Sequence, residues 1–193
     1  MWIRRLFALF LGLAIVVVVT GFFLPRVVTI ERSVLVEYPQ EAVFEVLQDF
    51  RHFTQWSPWF ERVPDAGFRL EGPAAGVGST LVWTDEAGSG QGRLWIVATD
   101  PPRRVDLQLE LGDTEAEGFF VVRPVAEGGQ RITWGLRVEV STFDLVGRYI
   151  GLILPALVGS EYAEGLDRLV AYLDRHNGRP PVPSLPEEAT SGS

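Results

Sequence analysis

Between Val77 and Ser141 the apolar residues recur at every second position, in five runs: GVGSTLVW, GRLWIVAT, RRVDLQLEL, EGFFVVRPV and RITWGLRVEV. An extended strand produces this alternation when one face is buried and the other wet, because successive side chains point to opposite sides. The runs are separated by DEAGSGQ, DPP, GDTEAE and EGGQ, rich in residues that turn a chain. Short connections of this kind make an antiparallel meander. Gly128-Gly129 suits a two-residue type I′ hairpin turn, which needs positive φ at both centres. FRLEG, from Phe68 to Gly72, predicts a sixth short strand before the meander. The glycines of GSGQG precede a strand and not a helix, so they fit a hairpin and not a phosphate cradle.

On the N-terminal side, VVTIERSVLVEYP alternates Val28, Ile30, Val34 and Val36 against polar residues and predicts a further strand, with Arg32 interrupting its apolar face. After Pro39, Val43, Phe44 and Leu47 fall at helical spacing. A second short helix is expected over Asp49 to Trp56, ended by Ser57-Pro58, with Ser57 able to cap one more turn begun by Pro58. On the C-terminal side, FDLVGRYIGLILPALVG is apolar nearly all round, with Arg148 its only charge after Asp144 and Pro155 an expected break. It is too short and interrupted to span a bilayer. Ser160 is then placed to cap a last helix carrying Tyr162, Leu166, Leu169, Val170 and Leu173 on one face, stopped by Gly178. Residues 178–193 are rich in Pro, Ser and Glu and read as a disordered tail.

Ahead of all this lies LFALFLGLAIVVVVTGFFL, Leu6 to Leu24, 19 residues without a charge. At about 1.5 Å per residue it is long enough to cross a hydrocarbon core of about 30 Å. The competing reading is a cleaved signal peptide, but the run exceeds the usual apolar stretch and ends in Phe22, Phe23, Leu24 and Pro25 instead of small residues. The expected organisation is an anchor over 1–25, one domain over 26–177 and the tail over 178–193. Arg4, Arg5 and the terminal amine favour an inside N terminus, which puts a single-pass protein in the cell membrane with its domain on the extracytoplasmic side.

The chain has no cysteine, and all 17 of its basic residues are arginine. Thiol chemistry, lysine Schiff bases and GxxxxGK[ST] phosphate loops are therefore excluded. A net charge of −8 argues against nucleic acid and against docking to anionic headgroups. No HExxH, GxSxG or histidine cluster occurs, so zinc and serine-hydrolase chemistry have no support. Asp113, Glu115 and Glu117 alternate in GDTEAEG but lack the other ligands of a calcium loop, and read as a solvated hairpin tip. Neither a metal site nor a catalytic residue is assigned, and no cofactor is expected.

Strand, two short helices, antiparallel meander and long C-terminal helix follow in that order. The segments SVLVEYPQEAVFEVLQDFRHFTQWSPW, GVGSTLVW and EGLDRLVAYL fall within it. Together they resemble the START-like superfamily, in particular the bacterial SRPBCC proteins labelled polyketide cyclase/dehydrase and lipid transport. The resemblance covers about Val27 to His176. It implies an α+β helix-grip fold, a curved antiparallel sheet wrapped around the last helix with an apolar cavity between them. Members differ widely in ligand, so the fold does not fix the function.

Within that fold the aromatic stretch DFRHFTQWSPWF, Asp49 to Phe60, stands beside the cavity mouth. Phe50 and Phe53 read as core. Trp56, Trp59 and Phe60 straddle a helix break and read equally as core or pocket lining. His52 falls off the aromatic stripe and reads as a solvated surface residue. The inward strand positions are Leu81 and Trp83; Val105, Leu107 and Leu109; Phe120 and Val122; and Ile132, Trp134, Leu136 and Val138, none of them an acid, base or tyrosine. Apolar lining with few polar groups suits a hydrophobic small molecule or lipid. The candidate ligand-binding set is Trp56, Trp59, Phe60, Trp83, Leu107, Leu109, Phe120, Trp134, Leu136 and Leu152. Two alternatives stay open: a cyclase or dehydratase enzyme, and a domain with a filled core that binds a membrane protein partner, whose identity the sequence does not specify.

Overall fold

The computed structural model describes residues 2–62, 67–85, 90–112, 114–141 and 143–183. A long helix α1 (Trp2–Phe23) is followed by β1 (Val27–Val36) and three short helices, α2 (Gln40–Leu47), α3 (Phe50–Trp56) and α4 (Pro58–Arg62). Six strands come next: β2 (Gly67–Glu71), β3 (Thr80–Asp85), β4 (Gly90–Asp100), β5 (Arg104–Leu111), β6 (Thr114–Pro124) and β7 (Gln130–Glu139). The chain then forms α5 (Leu145–Arg175). All seven strands belong to one antiparallel sheet in the order β1-β7-β6-β5-β4-β3-β2, the expected meander closed by β1 against β7. The register slips between Ile96 and Ala98 of β4, an irregularity of the kind that bends a sheet.

One face of the sheet carries the core. Leu81, Leu94, Ile96, Val105, Leu107, Phe120, Val122, Ile132 and Trp134 are buried there against α2, α3 and the second half of α5. This is the helix-grip arrangement. Asp49 starts α3 by accepting the Arg51 N–H at 2.9 Å, and Asp144 starts α5 by accepting that of Gly147 at 2.8 Å. At its far end, Asn177 and Gly178 both have positive φ, and the Gly178 N–H donates to the Leu173 carbonyl at 2.8 Å.

Four local expectations are corrected. Pro155 does not break α5, which runs through it for 31 residues. The helix is held to β1 on both sides of the proline, at Gly151 against Val28 and at Gly159 against Arg32, and this packing outweighs one missing hydrogen bond. Ser160 consequently lies inside the helix, its hydroxyl donating to the Leu157 carbonyl at 2.9 Å, and caps nothing. The β6–β7 connection is not a two-residue turn. Gly128 N–H donates to the Val125 carbonyl, so a turn through Ala126 and Glu127 precedes two glycines that do have positive φ. Ser57 precedes α4, but its buried hydroxyl has no partner among the described residues, so it caps nothing. Of the expected tail, residues 179–183 lie over α2 and α3, where Arg179, Pro180 and Val182 help line a groove of about 330 Å³; residues 184–193 fall outside the described residues, as does Asp113.

α1 and α5 meet near the end of one and the start of the other. Arg148, only 2% exposed, donates from Nη1 to the carbonyls of Phe22 (3.0 Å), Gly21 (3.3 Å) and Leu24 (3.4 Å). A cation is thus placed at the helix end where unpaired carbonyls concentrate partial negative charge. The Tyr149 hydroxyl donates to the Val17 carbonyl at 2.7 Å and lies 2.6 Å from Thr20 Oγ1. Gly21 makes the close approach possible, since a Cβ there would come within 3.2 Å of both Leu145 and Tyr149. By length and composition, Arg4–Phe23 is the one helix among the described residues long and apolar enough to cross a membrane.

Candidate functional site

The site implied by the fold lies between the inner face of the sheet and α5. Its walls come from Leu94 of β4, Leu107 and Leu109 of β5, Gly118 of β6, Trp134 and Leu136 of β7, Phe53 of α3, Trp59 of α4 and Tyr162 of α5. The space left between these nine residues is about 10 Å³. That is room for one water molecule and no ligand.

Aromatic rings pack around this gap. Tyr162 stacks on Trp134 with ring centroids 4.0 Å apart and planes 14° from parallel. Gly165, one turn along α5, has no side chain to oppose this: a Cβ there would meet Trp134 at 2.6 Å. Phe53 stands at the centre of a ring of edge contacts, with Trp56 at 4.9 Å, Phe60 at 5.9 Å and Trp134 at 5.9 Å. Trp59 caps the gap from α4, and its indole N–H donates to Glu161 Oε2 at 3.0 Å, tying α4 to α5. Of the nine lining residues only Tyr162 titrates. Burial pushes its pKa far above the ordinary phenol value, so it remains a protonated donor at any physiological pH.

The structure brings Trp59, Leu107, Leu109, Trp134 and Leu136 together around the gap. Trp56 and Phe120 are buried one layer back, against each other at 6.1 Å, and the Trp56 indole N–H has no partner among the described residues. Phe60 packs on Phe68 at 5.2 Å. Trp83 is half-buried further along the sheet, its ring lying over Gly92. Leu152 lies outside the gap altogether, 56% exposed on the outer side of α5, because the unbroken helix turns that position away from the sheet. Phe53, Leu94, Gly118 and Tyr162 line the gap but were not in the expected set, and Phe53 reads from the sequence as core. Alternation in GRLWIVAT identifies Leu94, and helical spacing had already put Tyr162 on the inner face of α5.

His52 is also corrected. It is buried, 4% exposed, with Nδ1 2.9 Å from the Tyr172 hydroxyl, and not solvated. The reason is that α3 packs on two sides, against the core through Phe50, Phe53 and Trp56 and against the last turns of α5 through His52. Burial lowers the His52 pKa; Asp49 opposes the shift, while Arg51 and His176 add to it. Among the described residues no group of three His, Asp or Glu could hold a metal ion.

Residues 27–174 match the family model described as polyketide cyclase / dehydrase and lipid transport. No functionally curated protein is detectably similar in sequence. Among solved structures, a Staphylococcus aureus protein of unknown function superposes with a TM-score of 0.60 at 12% identity, covering 79% of this chain and 97% of that one. Norcoclaurine synthase from Thalictrum flavum, solved with dopamine and hydroxybenzaldehyde, gives 0.55 at 15%, covering 81% and 92%. A Chromobacterium violaceum protein gives 0.52 at 15%, covering 75% and 96%. At these identities the likeness establishes the fold and nothing finer. With the family model spanning the whole sheet and nearly all of α5, the chain belongs to the START-like superfamily and, within it, to the polyketide cyclase / dehydrase and lipid transport family.

Proposed function

We propose that this protein is a membrane-tethered module that takes up an apolar small molecule or lipid between its sheet and α5, where the walls must part to admit it. The observation that carries the reading is the make-up of the gap, eight apolar residues and one protonated tyrosine. Its walls meet at separate short elements, α3 and α4, and α4 is held to α5 by the Trp59–Glu161 hydrogen bond. Displacing α4, five residues long and with Trp59 and Phe60 only half-buried, would open the gap while Phe50, Phe53 and Trp56 of α3 stay in the core. The family's description includes lipid transport, which agrees. Binding would draw on burial at about 25 cal/mol per Å² of apolar surface. Its apparent affinity would be reduced by the fraction of molecules standing open.

On this reading the chain divides into an anchor over 1–25, the domain over 26–177 and the tail beyond, in the cell membrane with the domain on the extracytoplasmic side. Arg4 and Arg5 before the uncharged run support that orientation. The full-length chain in phosphatidylcholine vesicles, titrated with a fluorescent fatty-acid analogue, tests the pocket. Leu136→Phe, the smaller aromatic enlargement, should take up the gap and abolish saturable binding while circular dichroism stays unchanged. Saturable binding that survives in the folded Leu136→Phe protein would place the ligand elsewhere.

The filled gap itself favours a second reading, in which the interior never opens and the domain acts through its surface on a membrane protein partner. Then no analogue binds saturably to the wild type, and organic extraction of the purified protein yields no defined apolar molecule. An enzyme of the cyclase or dehydratase type would have Tyr162 as the one titrating group among the lining residues, while the neighbouring carboxylate, Glu161, is engaged by the Trp59 indole and is not part of the lining.

A further inference from the structure

The first four turns of α5 present an apolar face to the outside of the protein. Val146, Ile150, Ile153 and Leu157, at spacings of four, three and four, are all exposed, with Leu152 beside them and Phe143 just before. Four and three are the spacings of one helix face. From Leu145 to Ser160 the only charge is Arg148, and it is turned inward onto the end of α1. A face of this size and composition needs a cover.

The joint with α1 says at what height that face sits. Tyr149 hydrogen-bonds the Val17 carbonyl, and Val17 lies seven residues before Leu24, where the uncharged run ends. At 1.5 Å per residue that is about 10 Å inside the run. If α1 spans the bilayer, as proposed above, α5 joins it within the apolar thickness and not above the headgroups. Helices that lie in the interface bury their apolar faces by about 5–10 Å, which is the same depth.

We infer that the first half of α5 is embedded in the bilayer boundary beside α1, with Val146, Ile150, Ile153 and Leu157 against the acyl chains of uncharged lipid. The inference rests on the anchor reading. The occupant is uncharged lipid because the exposed face offers no cation to an anionic headgroup and the chain as a whole is acidic. On the flank of the same turns, half-buried Leu154 and Val158 pack against the core. A single helix therefore separates acyl chains from the interior of the domain.

The chain has no cysteine, so single-cysteine variants carry one spin label each. Full-length Ile150→Cys, Ile153→Cys, Ala171→Cys and Val16→Cys proteins in phosphatidylcholine vesicles can be compared by power saturation with oxygen, which enters hydrocarbon, and a nickel chelate, which stays in water. The labels at 150 and 153 should share the high oxygen-to-nickel ratio of the label at 16, while the label at 171, exposed on the second half of the same helix, should favour nickel. Nickel access at 150 and 153 with oxygen access at 16 overturns the embedding and leaves the anchor standing. Nickel access at 16 as well overturns both. Labels at 150 and 153 screened from both reagents also overturn it, because a protein partner, or a second copy if the labels broaden one another, then covers the face.

Discussion

The two halves of α5 are one continuous helix with opposite outer surfaces. Before Ser160 the exposed positions are Val146, Ile150, Leu152, Ile153, Ala156 and Leu157, and from it onward they are Ser160, Asp167, Ala171, Asp174 and Arg175. Their inner surfaces differ too. The first half is pressed on β1 through glycines, whereas the second buries Leu166, Leu169 and Leu173 completely in the core. A soluble helix keeps an apolar stripe inward and a polar one outward, as the second half does. The first half inverts that rule along its outer face, and the inversion begins where α1 is in contact. Secondary structure is thus uninterrupted across Pro155 while the surroundings it is built for change.

The largest expected effect lies in the second half. Leu169→Ala removes a fully buried side chain and should cost about 2–5 kcal/mol in denaturant unfolding of the full chain in detergent micelles. A loss no greater than that of an exposed position would erase the difference between the halves. Next comes Arg148→Gln, which strips the charge from the carbonyls of Gly21, Phe22 and Leu24 and should cost about 1–3 kcal/mol. Hydrogen exchange should rise over residues 143–149 and stay unchanged over 167–173; a uniform rise would mean that α5 responds as one unit.

The pH response should also separate the two halves, since Tyr172 of the second half faces His52. Burial holds the His52 pKa below its ordinary value, so the unfolded chain takes up the proton first. The contribution is complete above about pH 6.5 and is lost as pH falls from there through the folded pKa, by at most about 1.4 kcal/mol per pH unit. In His52→Gln, the fall in Tm on moving from about pH 7.5 to 5.5 should shrink; an unchanged slope would assign the titration to other groups. Smallest of all is Ile153→Ala, expected within about 0.5 kcal/mol of wild type in micelles, where detergent replaces lipid on both.

The sheet was legible in the sequence because its signal is local: alternation places Leu107, Phe120 and Trp134 on the inner face, and their register partners follow. What was not legible depends on contacts between distant residues. Arg148 reads as a lone charge on an apolar helix, since its partners are backbone carbonyls 124 to 127 positions away, which leave no mark on side-chain pattern. His52 reads as solvated because its partner Tyr172 is 120 residues off. The lining of the candidate site was half visible. Its near-closure was not, because that follows from how the Tyr162 and Trp134 rings stack, a matter of volume that periodicity does not encode.

β1 is the first strand of the chain, and its neighbour in the sheet is the last, Val27 pairing with Glu139 and Val36 with Gln130. During synthesis at about 5–20 residues per second, the roughly 100 intervening residues take on the order of 5–20 s to emerge. Throughout that interval β1 has no ladder partner on either edge, and an unpaired apolar strand is a template for neighbouring chains. Glu31 and Arg32, adjacent charges at its middle, are residues of the type that discourages such pairing. The fold is therefore sealed only when β7 arrives, so that a truncated nascent chain keeps its first strand exposed however much of the meander has formed.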